Sequence, residues 1–83
     1  METTQIERQL IDYFKEKMST TVDAQTALLD EKVIDSMGVI ELITFIEAAY
    51  HVEMTDDDLT VENFKDIEAI INLILNKNGR QRQ

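Results

Sequence analysis

The chain has 83 residues, with 17 acidic side chains against 8 basic ones and a formal net charge of −9. That length makes one domain with a modest core, and the charge argues against a nucleic-acid binder, whose phosphate contacts need Lys and Arg. A hydrophobic fraction of 43% is too high for a disordered chain, and the lack of proline with only two glycines favours helices over a turn-rich β-fold.

The first helix is expected from about Thr4 to Met18. Thr4 and Glu7 have capping-box spacing, and Ile6, Leu10, Phe14 and Met18 recur every four residues with Ile11 beside them. Residues 19–35 have no helical period, yet they contain Val22, Leu28, Leu29, Val33 and Ile34. So long a connection is expected to pack across the helices as part of the core. The second helix is predicted from Ser36 to Tyr50 with Asp35 as its N-cap. Val39, Leu42, Ile43, Ile46, Ala49 and Tyr50 share its core face. The other face carries Met37, Glu41, Thr44 and Ala48, flanked by Ile40 and Glu47. That mixture of apolar, small and acidic groups suits a docking surface better than a solvated stripe.

His51-Val52-Glu53-Met54 reads as an extended link. One short helical element is expected around residues 56–64, with Leu59, Val61 and Phe64 turned inward. The last helix is predicted from Asp66 to Asn76 or Lys77 on the spacing of Ile67, Ile70, Ile71 and Ile74. Asn78-Gly79 reads as its stop. The expected organisation is an all-α four-helix bundle with three main helices, one short helix and a long ordered loop between the first two. Its domain covers residues 1–78, and residues 79–83 form a disordered tail. No run approaches the ~20 apolar residues of a membrane span, and the N-terminus lacks a signal pattern, so a cytoplasmic monomer without membrane attachment is expected.

Charge is unevenly placed. Residues 30–68 hold twelve Asp and Glu against Lys32 and Lys65, whereas residues 69–83 carry Lys77, Arg80 and Arg82 with no acid. An acidic middle would steer partners with basic surfaces, but on charge alone a solvated surface kept soluble by its charge is the expected reading.

Reactive groups are scarce. The only histidine, His51, lies fifteen residues from Ser36 at the far end of the same predicted helix, roughly 20 Å at ~1.5 Å per residue. A hydrolytic triad is therefore not expected, and no residue is assigned a catalytic role. No metal site is expected either: an EF-hand loop beginning at Asp56 would place Val61 where glycine is required and Ile67 where a bidentate Glu is required. Asp56-Asp57-Asp58 fits better as helix N-terminal charge. Ser36 remains. On position alone it is a helix cap, a common role for serine. Three features favour a modification site instead. A phosphate there would meet free N–H groups and the helix dipole. Ile34 and Met37 flank the serine with apolar anchors. The stripe Met37, Glu41, Thr44 and Ala48 leads away from it.

Asp35-Ser36-Met37 opening a Glu- and aliphatic-rich helix, together with the length, acidity and element order of residues 4–77, resembles the acyl carrier protein family, including its peptidyl-type members. The resemblance implies that Ser36 is esterified by 4′-phosphopantetheine, delivered from coenzyme A by a phosphopantetheinyl transferase. Asp35 would assist the transferase and its metal. It further implies that Met37, Ile40, Glu41, Thr44 and Glu47, with Val61, meet partner enzymes: a loading ligase for acyl or aminoacyl groups and downstream synthase or modifying enzymes. The chain would be a carrier and not a catalyst. Val33 stands where many members have Gly, Gly38 where fatty-acid carriers often have Asp, and Ala48 at a commonly acidic position. Ile34-Asp35-Ser36-Met37-Gly38, with Leu59-Thr60-Val61-Glu62-Asn63-Phe64 downstream, looks more like freestanding carriers of specialised polyketide or nonribosomal peptide pathways. The alternatives are a fatty-acid synthesis carrier, an unmodified acidic adaptor binding a basic partner, and a small calcium-binding module.

Overall fold

The computed structural model describes residues 3–81. Three α-helices, α1 (Thr3–Lys17), α2 (Ser36–Tyr50) and α3 (Ile67–Gln81), are joined by one long connection and by a segment holding two 3₁₀ turns, Asp56–Asp58 and Glu62–Phe64. No strand occurs among the described residues. The all-helical architecture expected from periodicity is what the chain adopts.

The expected apolar faces meet in a single core. Ile6, Leu10 and Phe14 of α1, Leu42, Ile46 and Tyr50 of α2, and Ile67, Ile70, Ile71 and Ile74 of α3 are buried. Tyr13, absent from the expected face, is buried as well. Its ring stacks on Phe45 of α2 with centroids 4.6 Å apart, and Phe45 meets Tyr50 edge-on. Burial raises the pKa values of Tyr13 and Tyr50, and the nearby Glu41 carboxylate adds to the rise at Tyr13. The Tyr50 hydroxyl donates to Gln9 Oε1 at 2.7 Å. Ala49, assigned to the core face, is exposed instead.

Helix α1 ends where Ser19 takes a positive φ of 53° and the N–H groups of Met18 and Thr20 both reach the Phe14 carbonyl. Its start at Thr3 puts Thr4 inside the helix, so Thr4 does not cap it. The connection that follows is ordered by two means. Val22, Leu28 and Ile34 are buried, and Leu29 and Val33 pack against the core. Its backbone is also stitched to the start of α3: Leu28 N–H donates to the Lys65 carbonyl at 2.8 Å and Glu68 N–H to the Ala24 carbonyl at 3.1 Å.

Two expectations about the second half are corrected. The short helix is split, because Thr60 N–H turns back to the Asp58 carbonyl and Thr60 Oγ1 accepts from Asn63 N–H to start the next turn. Phe64 points inward, but Leu59 and Val61 are 48% and 69% exposed. Helix α3 also runs on through Asn78-Gly79 to Gln81. Its own i→i−4 bonds override a local stop signal. Arg82 and Gln83, the remainder of the expected tail, lie outside the described residues.

Candidate functional site

The connection delivers Ile34 into the core and turns out at Asp35, and this fixes where α2 begins. Asp35 is extended, and its Oδ1 accepts from Gly38 N–H at 2.9 Å while its carbonyl takes the Val39 N–H. Asp35 is thus the N-cap. Ser36 is the first helical residue, which overturns the reading of Ser36 as a cap. Gly38 is buried one turn in, and a Cβ there would stand 3.2 Å from Ile34 Cβ. The small residue lets the incoming connection press directly on the helix start, a packing reason for glycine at this position.

The Ser36 side chain is exposed, and the N–H groups of Ser36 and Met37 have no hydrogen-bond partner among the described residues. A nucleophilic hydroxyl therefore stands at the positive end of a 15-residue helix. Met37 and Ile40 lie beside it, 65% and 57% exposed, a large apolar exposure for so small a protein. Two open hollows border this helix end. One, of about 230 Å³, is lined by Met18, Lys32, Asp35, Met37 and Glu41 among others. The second is apolar, about 160 Å³, and lies between Leu29, Val39 and the Leu59–Val61 stretch above Phe64. Val39 is one helical turn beyond Ser36.

The other expected partner-facing residues differ in character. Glu41 is exposed and has the Tyr13 ring nearby. Thr44 is exposed, and its hydroxyl donates to the Ile40 carbonyl at 3.1 Å within its own helix. Glu47 is half-buried and accepts from Met54 N–H at 3.0 Å, so it fastens the link that leaves α2. Val61 is exposed on the rim of the apolar hollow. His51 closes α2 in the left-handed conformation, its N–H on the Glu47 carbonyl, at the opposite end from Ser36. Among the described residues, the arrangement places an exposed hydroxyl at a helix N-terminus beside an apolar rim.

The chain is 32% identical over 62 residues to aminoacyl carrier protein 2 of Bradyrhizobium diazoefficiens, covering 75% of this chain and 68% of that protein. It belongs to the acyl carrier protein family. No family model matches the chain. Family membership gives the helix-end serine its context, since acyl carrier proteins generally bear a 4′-phosphopantetheine arm. Among the described residues of this family member, no cluster of three or more His, Asp or Glu could hold a metal ion, and no helix is long and apolar enough to cross a membrane.

Sequence reasoning missed one ionic contact. Among the described residues, Asp58 and Lys77 are the buried charged side chains, 9% and 7% exposed, and they pair with each other. Burial pushes the Asp58 carboxyl up, but the Lys77 ammonium and two donors from Thr55 outweigh it and hold the carboxyl below its ordinary value. The signal was weak. Lys77 falls one turn after the buried Ile74 on the inward face of α3, but nothing local pairs it with a residue nineteen positions earlier.

Proposed function

We propose that the protein is a carrier that holds acyl or aminoacyl groups as thioesters on a 4′-phosphopantetheine arm attached to Ser36. The observation that carries the reading is the exposed Ser36 hydroxyl as first residue of α2, directly after a cap satisfied by Asp35. Because Asp35 already supplies the cap, Ser36 is available for chemistry. The residues present fit the group. A phosphodiester at Ser36 would face the free N–H groups of Ser36 and Met37 and gain from the helix dipole. Met37 and Ile40 would border an amide-rich chain with apolar surface.

When bound, the arm supplies the thiol that a chain without cysteine lacks. The chain's own residues do the rest. In a partner transferase, Ser36 Oγ would give up its proton and attack the phosphorus bearing the pantetheine of coenzyme A, breaking the pyrophosphate P–O bond and releasing adenosine 3′,5′-bisphosphate. Asp35 holds the helix end rigid through Gly38 N–H and offers its remaining carboxylate oxygen to that enzyme. Glu41, with the acidic surroundings of residues 30–68, attracts basic partner surfaces.

The cargo is small, and an aminoacyl group fits best, delivered by an adenylating ligase in a specialised pathway. Two observations support this. The apolar hollow beside α2 is open and of only about 160 Å³, while Ile6, Leu10, Leu42, Ile46 and Ile74 leave no exposed surface in the interior. The relative found in Bradyrhizobium diazoefficiens is named for aminoacyl carriage. Incubation with coenzyme A and a broad-specificity phosphopantetheinyl transferase, read by intact mass, tests the reading. The parent should gain one phosphopantetheine mass and Ser36→Ala none. A parent that gains nothing, or a Ser36→Ala variant that is still modified, would overturn it.

A further inference from the structure

The apolar hollow has two walls of different origin. Leu29 and Val39 come from the first connection and α2, whereas Leu59, Thr60, Val61 and Phe64 come from the segment between α2 and α3. The outer wall, Leu59 to Val61, has little apolar burial to hold it. Polar contacts around one residue fasten it. Asp58 Oδ2 accepts from Thr55 N–H at 2.8 Å and Thr55 Oγ1 at 3.0 Å, and pairs with the Lys77 ammonium of α3. The Asp58 carbonyl accepts from Asn63 Nδ2 at 2.9 Å and from Thr60 N–H at 3.0 Å. One buried aspartate thereby ties both 3₁₀ turns together and ties them to α3. The segment packs on α3 through its second turn, so the hollow is the gap between a wall fastened to α3 and the helix that bears Ser36.

We infer that the Asp58–Lys77 pair, with Asn63, is a specificity-determining clamp: by holding the Leu59–Val61 wall against α3 it fixes the width of the hollow and limits the cargo sheltered there to short groups. This rests on the carrier reading for its cargo, but the clamp itself is a property of the segment. Lys77 and Asn63 do not contact the arm or the cargo; they act through the placement of Leu59 and Val61. Loosening the clamp frees the wall to move away from α2, and a longer apolar chain then finds a place between them.

The test compares the free-thiol and octanoyl-loaded forms of the parent, Lys77→Met, Asn63→Ala and Lys77→Arg, reading the thermal midpoint of each loaded form against its own free-thiol form. A purely structural role lowers both forms of a variant together and leaves their difference unchanged. The clamp predicts no octanoyl-dependent rise in the parent, a rise of several degrees in Lys77→Met, a smaller one in Asn63→Ala, and none in Lys77→Arg, which keeps the charge. Equal differences in all four proteins, or a rise already present in the parent, overturn it. Asn63→Ala, which loses a single hydrogen bond, serves where Lys77→Met fails to fold. A chain that takes no arm at Ser36 shows this in its mass. The clamp is then read by amide exchange of Leu59 and Phe64 in Asn63→Ala, which should quicken relative to Leu28 and Val33, and unchanged relative rates overturn it.

Discussion

The two connections of this protein solve one problem in opposite ways. Residues 18–35 cross the helices without regular structure and are held by buried Val22, Leu28 and Ile34 and by backbone bonds to the start of α3. Residues 51–66 bury Val52 and Phe64, but their middle is held by a carboxylate, an ammonium, a threonine and an asparagine. The first delivers Asp35 and Ser36 and must put them in one place, a task suited to close-packed apolar contact. The second forms a wall of the hollow, and its polar fastening depends on charge state and geometry in a way that apolar packing does not. Apolar packing therefore seats the serine, whereas polar contacts hold the wall beside it.

The comparison breaks most severely at Leu28. It is fully buried, and Leu28→Ala should cost about 2–5 kcal/mol, a large part of the stability of so small a domain. Chemical denaturation checks it. A loss under about 1 kcal/mol would mean that the first connection is not part of the cooperative core.

Lys77→Met should cost about 3 kcal/mol, because it leaves Asp58 buried without its counter-charge. The pair also makes the second connection sensitive to acid. The Asp58 carboxyl is held below its ordinary value near 3.8. Its contribution is therefore complete above that pH and is lost as pH falls through the lowered value. Denaturation midpoints between pH 6 and pH 2 should show an acid-labile component in the parent that Lys77→Met lacks. Identical acid profiles would remove the pair from the energetics.

Glu41→Lys and Glu47→Lys sharpen the contrast along α2. Both reverse charge on the acidic face and should slow loading by partners in a salt-dependent manner. Only Glu47 also accepts the Met54 N–H, so Glu47→Lys should destabilise by about 1 kcal/mol. Glu41→Lys should stay within about 0.5 kcal/mol. Thermal midpoints separate the two, and equal losses would deny Glu47 its structural share.

The smallest effects lie at the cap. Asp35→Ala should cost about 1 kcal/mol. Ser36→Ala, which removes no cap bond, should change stability by no more than about 0.5 kcal/mol. A larger loss at Ser36 than at Asp35 would reverse the assignment of cap and first helical residue.

Periodicity alone identified α1, α2 and α3, because one apolar residue every three or four positions has no other way to bury its face. Asp35 before a helical run was legible as a cap, and Val22, Leu28 and Ile34 marked the first connection as buried, since their transfer from water dominates their local energetics. The carbonyls that accept from Leu28 and Glu68, the Tyr13–Phe45 stack and the Asp58–Lys77 pair were not legible. Each joins groups distant in sequence whose meeting depends on how the helices pack. For the same reason Leu59 and Val61 were expected inside and lie outside: their apolarity is local, whereas the Thr55, Asn63 and Lys77 contacts that fix the direction of the segment are tertiary. Amino-acid order determined the helices and the position of the serine. The hollow beside that serine, and the charges that hold its wall, were decided only when α3 came to rest against the segment before it.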